Sequence, residues 1–573
     1  MSFQLSPGIN TSEIDLTTAV PAVSVSTGAL AGVFAWGPVF KITSVSSEVE
    51  LYNTFSGPDN NSAASFMTAA SFLAYSNSLK VARANALNQF NATANGTGTV
   101  INNEDDYFNG AYATEVAGNP WTARYPGAKG NSLKVYVWAN SAVWLADSAN
   151  TNSPNYTFAN YFDYAPTTTP YVTQVSNGAV SNDAMHVLVV DALGKFTGTA
   201  NTVLEKYQAL SKLSDAQNPV GATNFYHEVI WKQSRYVYNT GIPSSNTTGW
   251  NGTISAAQTT GIGIDATSNI ATLSGGADGS VSDNNIEGAL ALFANPEEVD
   301  ISLLMTGDVD DTIRVYAVNN IAATRKDCVA FLSPPLANTQ DVTGPADSIA
   351  AWADAINARS SYAVVDSGYK YMYDKYNDVY RWIPLNGDIA GLCAQTDNVR
   401  DPWWSPAGLQ RGNIKNAVKL AFNPGKTDRD TLYSAGVNPV VSFPGQGILL
   451  YGDKTFLNYA SAFDHINVRR LFIVLEKAIS KAAQASLFEF NDSFTRASFV
   501  NLVTPFLRTV QGRRGISNFK VVCDTTNNTP AVISGNQFVG DIYIVPNYSI
   551  NYIQLNFIAT RTGVSFNEVV GQF

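Results

Sequence analysis

The 573-residue sequence predicts a multidomain protein of mixed class: an α/β body with polar insertions, a C-terminal α+β module, and extended β-arms at both ends. Three observations predict it. The length suits several domains whose cores need no disulfide or metal. Strand-like runs separated by helical patterns imply an α/β core. Charge also divides along the chain: from Phe456 onward ten Lys and Arg stand against seven Asp and Glu, while the preceding residues carry 25 against 39. A mildly basic module of +3 therefore closes an acidic body of −14.

Taken in order, Ser6-Pro7-Gly8 bars a helix at the start, and the INTSEIDL that follows reads as a strand without a local partner. An arm over residues 1–20 follows, with Leu5, Ile9 and Ile14 as its apolar positions. In the body, residues 21–425, strands are predicted at Asn131–Trp138 (NSLKVYVW), Met185–Asp191 (MHVLVVD) and Asp327–Leu332 (DCVAFL). Apolar residues at helical spacing in NTVLEKYQALSKLS predict a helix over Asn201–Ser214. Asn, Thr, Ser and Gly dominate polar insertions near 86–122, 141–183 and 239–285, and no repeat of solenoid or propeller length is visible.

The C-terminal module is placed at 426–560. Ile466–Ser486 is predicted as a helix, with Val468, Leu471, Phe472, Leu475, Ile479, Ala482 and Ala483 on one face and Arg470, Lys477 and Lys481 on the other, within about 40° at 100° per residue. A second helix is expected over Arg496–Val510, with strands at Phe519–Cys523, Asp541–Val545 and Tyr552–Thr560. In the last, Ile553, Leu555 and Phe557 alternate with Gln554 and Asn556, as a strand with one buried face requires. Residues 561–573 form the C-terminal arm.

Composition excludes several function classes. A net charge of −11 opposes general binding to nucleic-acid phosphates. Charged residues make up 14%, below the ~25% of an average soluble domain, so uncharged polar residues make up the deficit and suit crowded contact with neighbours. Cys328, Cys393 and Cys523 are odd in number and widely spaced, which suggests neither a disulfide framework nor a CxxC knuckle. The start MSFQLSPGIN lacks a basic and an apolar region, and no run approaches a membrane span, so neither a signal peptide nor membrane insertion is expected.

Catalytic signatures fail one by one. His186, His227 and His465 offer no HExxH pair or helical ligand spacing, so no metal is expected. No GxSxG elbow presents a serine, and spacing alone does not support a meeting of Asp191 with His227. Gly425-Lys426-Thr427 ends like a phosphate loop, but Leu420 stands where its first glycine belongs. Gly261-Ile262-Gly263 lacks the third glycine of a dinucleotide fingerprint, so no cofactor is expected. In Tyr369–Trp382 (YKYMYDKYNDVYRW), Asp374 and Asp378 offset Lys370, Lys375 and Arg381, which favours packing at a domain or subunit junction over base stacking; Trp403-Trp404 reads the same way.

A collinear set of segments carries a resemblance. LSPGINTSEIDL (5–16), LAGVFAWGPVF (30–40), YPGAKGNSLKV (125–135), LSGGADG (273–279) and YMYDKYNDVYRWIPLNGDIAGLCAQTD (371–397) continue with WSPAG (404–408), DTLYSAGVNP (430–439), YGDKT (451–455), NVRRLF (467–472) and VCDTTNNTP (522–530). Together they resemble the tail sheath proteins of contractile-tailed bacteriophages, especially the T-even-like group. One departure is clear: only about forty residues separate Arg83 from Tyr125, where the T-even-like proteins carry an inserted outer domain.

The resemblance implies a structural subunit rather than an enzyme, found in the virion tail and made in the bacterial host cytoplasm. Copies would stack as six-membered rings around a tail tube and contract to drive the tube through the host envelope, without nucleotide hydrolysis. The implied partners are further copies, the tail tube protein, and baseplate and tail terminator proteins. The body becomes an outer α/β body and the basic C-terminal part an inner, tube-facing module, with Arg470, Lys477 and Lys481 as its ridge. The arms would add strands to neighbouring sheets through Leu5, Ile9, Ile14, Ile553, Leu555 and Phe557. An extracellular adhesin or surface-layer protein is the rival reading, opposed by the cysteine count and the absent signal; a hydrolase using His227 is a third.

Overall fold

The computed structural model describes residues 25–112, 120–176, 182–240 and 270–555. They fall into two compact units, one of 25–402 and 406–481, the other of 403–405 and 482–555. The expected arm residues Leu5, Ile9, Ile14 and Phe557, and Gly261-Ile262-Gly263, lie outside the described residues.

The larger unit is built on a seven-stranded sheet in the order 437–438, 363–366, 329–332, 303–305, 28–32, 79–83, 42–45, parallel except for the last strand. The first described strand, 28–32, lies inside the sheet; the next two move to one edge, and the rest return on the other side after a long excursion. A parallel sheet covered on both faces needs apolar residues on both. Leu30, Leu303, Met305, Val329, Phe331 and Val364 face helices Ala63–Leu73, Asn386–Val399 and Ile466–Ala483. Ala29, Ala31, Ala82, Ala330 and Ala363 supply small contacts on the opposite face, under Asp283–Ala291, Pro345–Ala355 and Lys426–Ser434. Helix Asn386–Val399 lies close to Ala63–Leu73 because Gly387 and Gly391 lack a Cβ, which would stand 2.6 Å from the Thr68 carbonyl oxygen and 2.4 Å from the Tyr75 ring.

The excursion forms an antiparallel sheet in the order 202–211, 184–191, 133–138, 270–272, packed with helix Tyr226–Gln233 around Trp121, Val135, Val187 and Tyr226. The predicted strands at 133–138 and 184–191 are present, but in this antiparallel sheet; Val329–Leu332 is in the parallel one. The helix expected over Asn201–Ser214 is instead the strand Thr202–Ser211. Register shifts at Met185/Val187 and Val189/Val190 break its alternation, so its apolar residues mimic helical spacing. The insertion near 141–183 holds three short helices, Ser141–Ser148, Tyr156–Ala159 and Pro170–Ser176.

The boundary expected at 426 is also moved. Val437–Asn438 pairs with Val365–Asp366 in the large sheet, and Leu432 and Phe456 belong to its core. Lys426–Ser434 is a helix begun at Gly425, whose N–H donates to Asp428 Oδ2 at 2.8 Å, so the Gly-Lys-Thr fragment is a helix start.

In the smaller unit, helix Ser493–Gly512 starts at Asp492, whose carboxylate accepts from Thr495 N at 2.8 Å. Its buried Phe499, Val503, Leu507 and Val510 recur at helical spacing. A two-stranded antiparallel sheet, Ile516–Val522 with Asp541–Pro546, completes the unit together with a short helix, Pro530–Ser534. Both predicted strands are thus present; Tyr552–Leu555, expected to begin a third, has no regular secondary structure.

Candidate assembly surfaces

In a doubly wound sheet, ligands sit beyond the carboxyl ends of the strands where the strand order reverses, here between Gly28–Gly32 and Leu303–Met305. Beside it, at the carboxyl ends of strands 303–305, 329–332 and 363–366, the protein's own polar side chains interlock. Asn386 bridges Gly307, accepting from its N–H at 3.1 Å and donating to its carbonyl at 2.9 Å. Asn386 also donates to Ser333 Oγ at 3.0 Å, and the Ser333 hydroxyl donates to Asp366 Oδ2 at 2.7 Å. Burial pushes the Asp366 carboxyl up to about 8. Tyr369 donates to Asp308 at 2.7 Å, and the adjoining helix Asp311–Tyr316 opens on carboxylates that oppose an anion at its N-terminus.

The histidines are tied into the fold. His186 lies stacked on Phe162 at 4.3 Å and bonds the Tyr164 carbonyl at 2.8 Å; His227 bonds Asn239 at 2.9 Å. Burial lowers both. Asp191 accepts from the backbone of Lys195, Phe196 and Thr197 and from the Ser132 and Thr197 hydroxyls. Neither Asp191 nor His227 bonds the other.

The cationic ridge on the long helix is not the continuous surface that helical projection expects. Arg470 is buried: it donates to Asp397 at 2.5 Å, the Cys393 carbonyl at 3.2 Å and the Val25 carbonyl at 3.3 Å. Burial opposes its charge, but Asp397 holds the guanidinium above its ordinary value. Lys477 reaches Asp300 at 2.6 Å, Ser302 Oγ at 3.0 Å and the Ile301 carbonyl at 3.1 Å. Lys481 alone of the three is exposed. Helical projection placed these residues correctly around the axis but could not see carboxylates 73 and 177 residues away in sequence. Exposed Arg508, Arg513, Arg514 and Lys520 add further positive charge to the smaller unit.

That unit also carries apolar residues on the outside. Its strands pair with each other and, among the described residues, with no third strand. Tyr543 and Val545 share one face of the hairpin and are 60% and 53% exposed. Ile553 and Leu555 are exposed beyond it, as are Leu487, Phe488 and Phe490 before helix Ser493–Gly512 and Phe494 in its first turn. Phe488 has φ +68°, a strained value for a bulky side chain. A two-stranded ribbon with open edges is marginal on its own and a template for further strands.

The aromatic run 369–382 is the third surface. It forms a hairpin, Tyr369–Asp374 with Val379–Pro384, whose first strand also pairs with Lys419–Leu420. One face is buried and the other is a row of partly exposed aromatic rings.

Comparison with known proteins bears on the whole chain. The profile of the phage tail sheath protein central domain matches residues 279–456, and that of the phage tail sheath C-terminal domain residues 459–560. The tail sheath protein of Vibrio phage KVP40 is 35% identical over 99% of this chain and 100% of its own. That of Enterobacteria phage T4 is 34% identical over 99% of each. Among solved structures, the sheath tail protein of Desulfitobacterium hafniense aligns with a TM-score of 0.52 at 13% identity, covering 91% of this chain and 94% of its own, a likeness of fold. No helix of the described residues is long and apolar enough to cross a membrane. The near-complete alignments at a third identity, with both sheath profiles in sequence, make the chain a member of the phage tail sheath protein family.

Proposed function

We propose that this protein is the subunit of a contractile tail sheath. Copies stack as six-membered rings around a tail tube, and their rearrangement into a shorter, wider lattice drives the tube through the host envelope. The observation that carries the reading is the sheet of the C-terminal unit, which among the described residues has two strands and exposed apolar residues. Arms from neighbouring copies complete it: Leu5, Ile9 and Ile14 of one arm and the alternating Ile553, Leu555 and Phe557 of the other supply the apolar side chains. Main-chain pairing depends little on side-chain detail, so linked subunits swivel without separating. Heterologous contacts that do not close on themselves generate an open helix from one subunit type.

The C-terminal module faces the tube, with Lys481 its free cation from the predicted ridge and Arg470 and Lys477 holding the helix to the body. The acidic body faces outward. Tube, baseplate and terminator proteins are the other partners, and the assembled form resides in the virion tail after synthesis in the host cytoplasm. Deleting residues 2–16 tests the arm directly. The truncated chain is expected to remain a folded monomer that does not polymerise; ordered tubes from it would refute strand exchange.

A further inference from the structure

The loop that leads into helix Ser493–Gly512 is held by its polar side chains and exposes its apolar ones. Asn491 donates to Asn528 Oδ1 at 3.1 Å and to the Gln537 carbonyl at 2.8 Å. Arg496 in turn donates to Asn491, to Oδ1 at 2.8 Å and to the carbonyl at 3.2 Å. The Asp492 N–H donates to the Phe490 carbonyl at 2.9 Å. From this tied backbone Phe488, Phe490 and Phe494 stand 104%, 85% and 79% exposed, and Leu487 62%. Phe488 does so at φ +68°. Large apolar side chains held out by a strained, hydrogen-bonded loop mark a surface that another segment covers. The loop is already ordered, so covering it loses little entropy.

Composition and connection select the cover. Residues 561–573 carry Val564, Phe566, Val569, Val570 and Phe573 against Arg561 and Glu568 as charges, an apolar surplus that favours burial. They follow from Leu555, which belongs to the same compact unit as the loop. A unit of this size is about 30 Å across. Extended chain gains about 3.3 Å per residue, so Val564 reaches up to about 30 Å from Leu555 and Phe573 up to about 60 Å, enough to meet the loop from any side of the unit. A segment tethered this closely meets the loop at an effective concentration in the millimolar range, well above that of a second copy in dilute solution. We propose that the surface of Leu487, Phe488, Phe490 and Phe494 is the docking site of the chain's own C-terminal arm, residues 561–573, in the free subunit. The proposal goes beyond the homopolymer reading and does not depend on it.

The test is thiol footprinting of the full-length Phe488→Cys protein as a dilute monomer; Cys328, Cys393 and Cys523 are buried and give little background. Full-length Val220→Cys, at a site 87% exposed in the larger unit, is the accessible reference. Maleimide labelling at position 488 is expected to be about tenfold slower than at 220, as an arm closed for nine-tenths of the time requires. Adding Phe566→Asp and Val569→Asp to the Phe488→Cys chain, outside the loop and its hydrogen bonds, should bring the two rates together. Equal rates at 488 and 220 in the otherwise unaltered chain overturn the docking site. Protection that survives the two arm substitutions gives the loop to another segment, residues 1–20 included, and overturns the arm as occupant. Protection that appears only when copies associate, or only after tube protein is added, assigns the surface to that partner and overturns the contact within one chain.

Discussion

Arg470→Met separates a structural from a docking role for the long helix. The side chains of Arg470 and Asp397 are 4% and 7% exposed, and the guanidinium also serves two backbone carbonyls. Removing one member of a buried ion pair leaves the other desolvated without compensation, which costs about 3–5 kcal/mol. Asp397, whose carboxyl is already raised by burial, then takes up a proton and limits the loss. Urea unfolding of the monomer should therefore show Arg470→Met destabilised by about 3 kcal/mol. Arg470→Met/Asp397→Leu should recover part of this, with a coupling of about 2 kcal/mol. Lys481→Met, at an exposed site, should stay within about 0.5 kcal/mol of wild type. An Arg470→Met cost below about 1 kcal/mol, or equal to that of Lys481→Met, would refute the assignment of Arg470 to the core.

Other perturbations follow from the same geometry. Gly391→Val places a side chain against the Tyr75 ring and should cost about 1–3 kcal/mol in urea, whereas Gly512→Ala, where an added Cβ meets nothing within 4 Å, should be neutral or mildly stabilising. Asp366, raised to about 8 from 3.8, binds its proton more tightly folded than unfolded, so its contribution to stability falls as pH rises through that window. Asp366→Asn removes that fall: relative to wild type it should gain about 2–3 kcal/mol between pH 6 and pH 9, and parallel pH profiles would contradict the raised carboxyl. Lys481→Glu should leave monomer stability unchanged and weaken assembly on tube protein, with a reduced dependence on salt; unaltered templated assembly at every salt concentration would remove Lys481 from the tube-facing surface.

How much of this was legible in the sequence depended on the range of the interaction. NSLKVYVW and MHVLVVD announced themselves as strands because each is a continuous apolar run, and the two C-terminal helices because their apolar stripes are long. The strand Thr202–Ser211 read as a helix because bulges in its pairing reset its apolar spacing. The body continued past 426 because a two-residue strand, Val437–Asn438, rejoins the large sheet, and two residues carry no period. The ridge dissolved for a different reason: angles around a helix are local, but whether Arg470 meets solvent or Asp397 is decided by a segment 73 residues earlier. The balanced charge of the aromatic run argued for packing over base stacking; the division of its side chains between two faces needed the register.

The central claim is that one chain builds a sheath from itself, and electron microscopy of the purified full-length protein tests it most directly, alone at high concentration and with tube protein added. Hollow, striated tubes of helically stacked six-membered rings are the predicted result, in one condition or both. Isolated particles in both conditions would contradict the account.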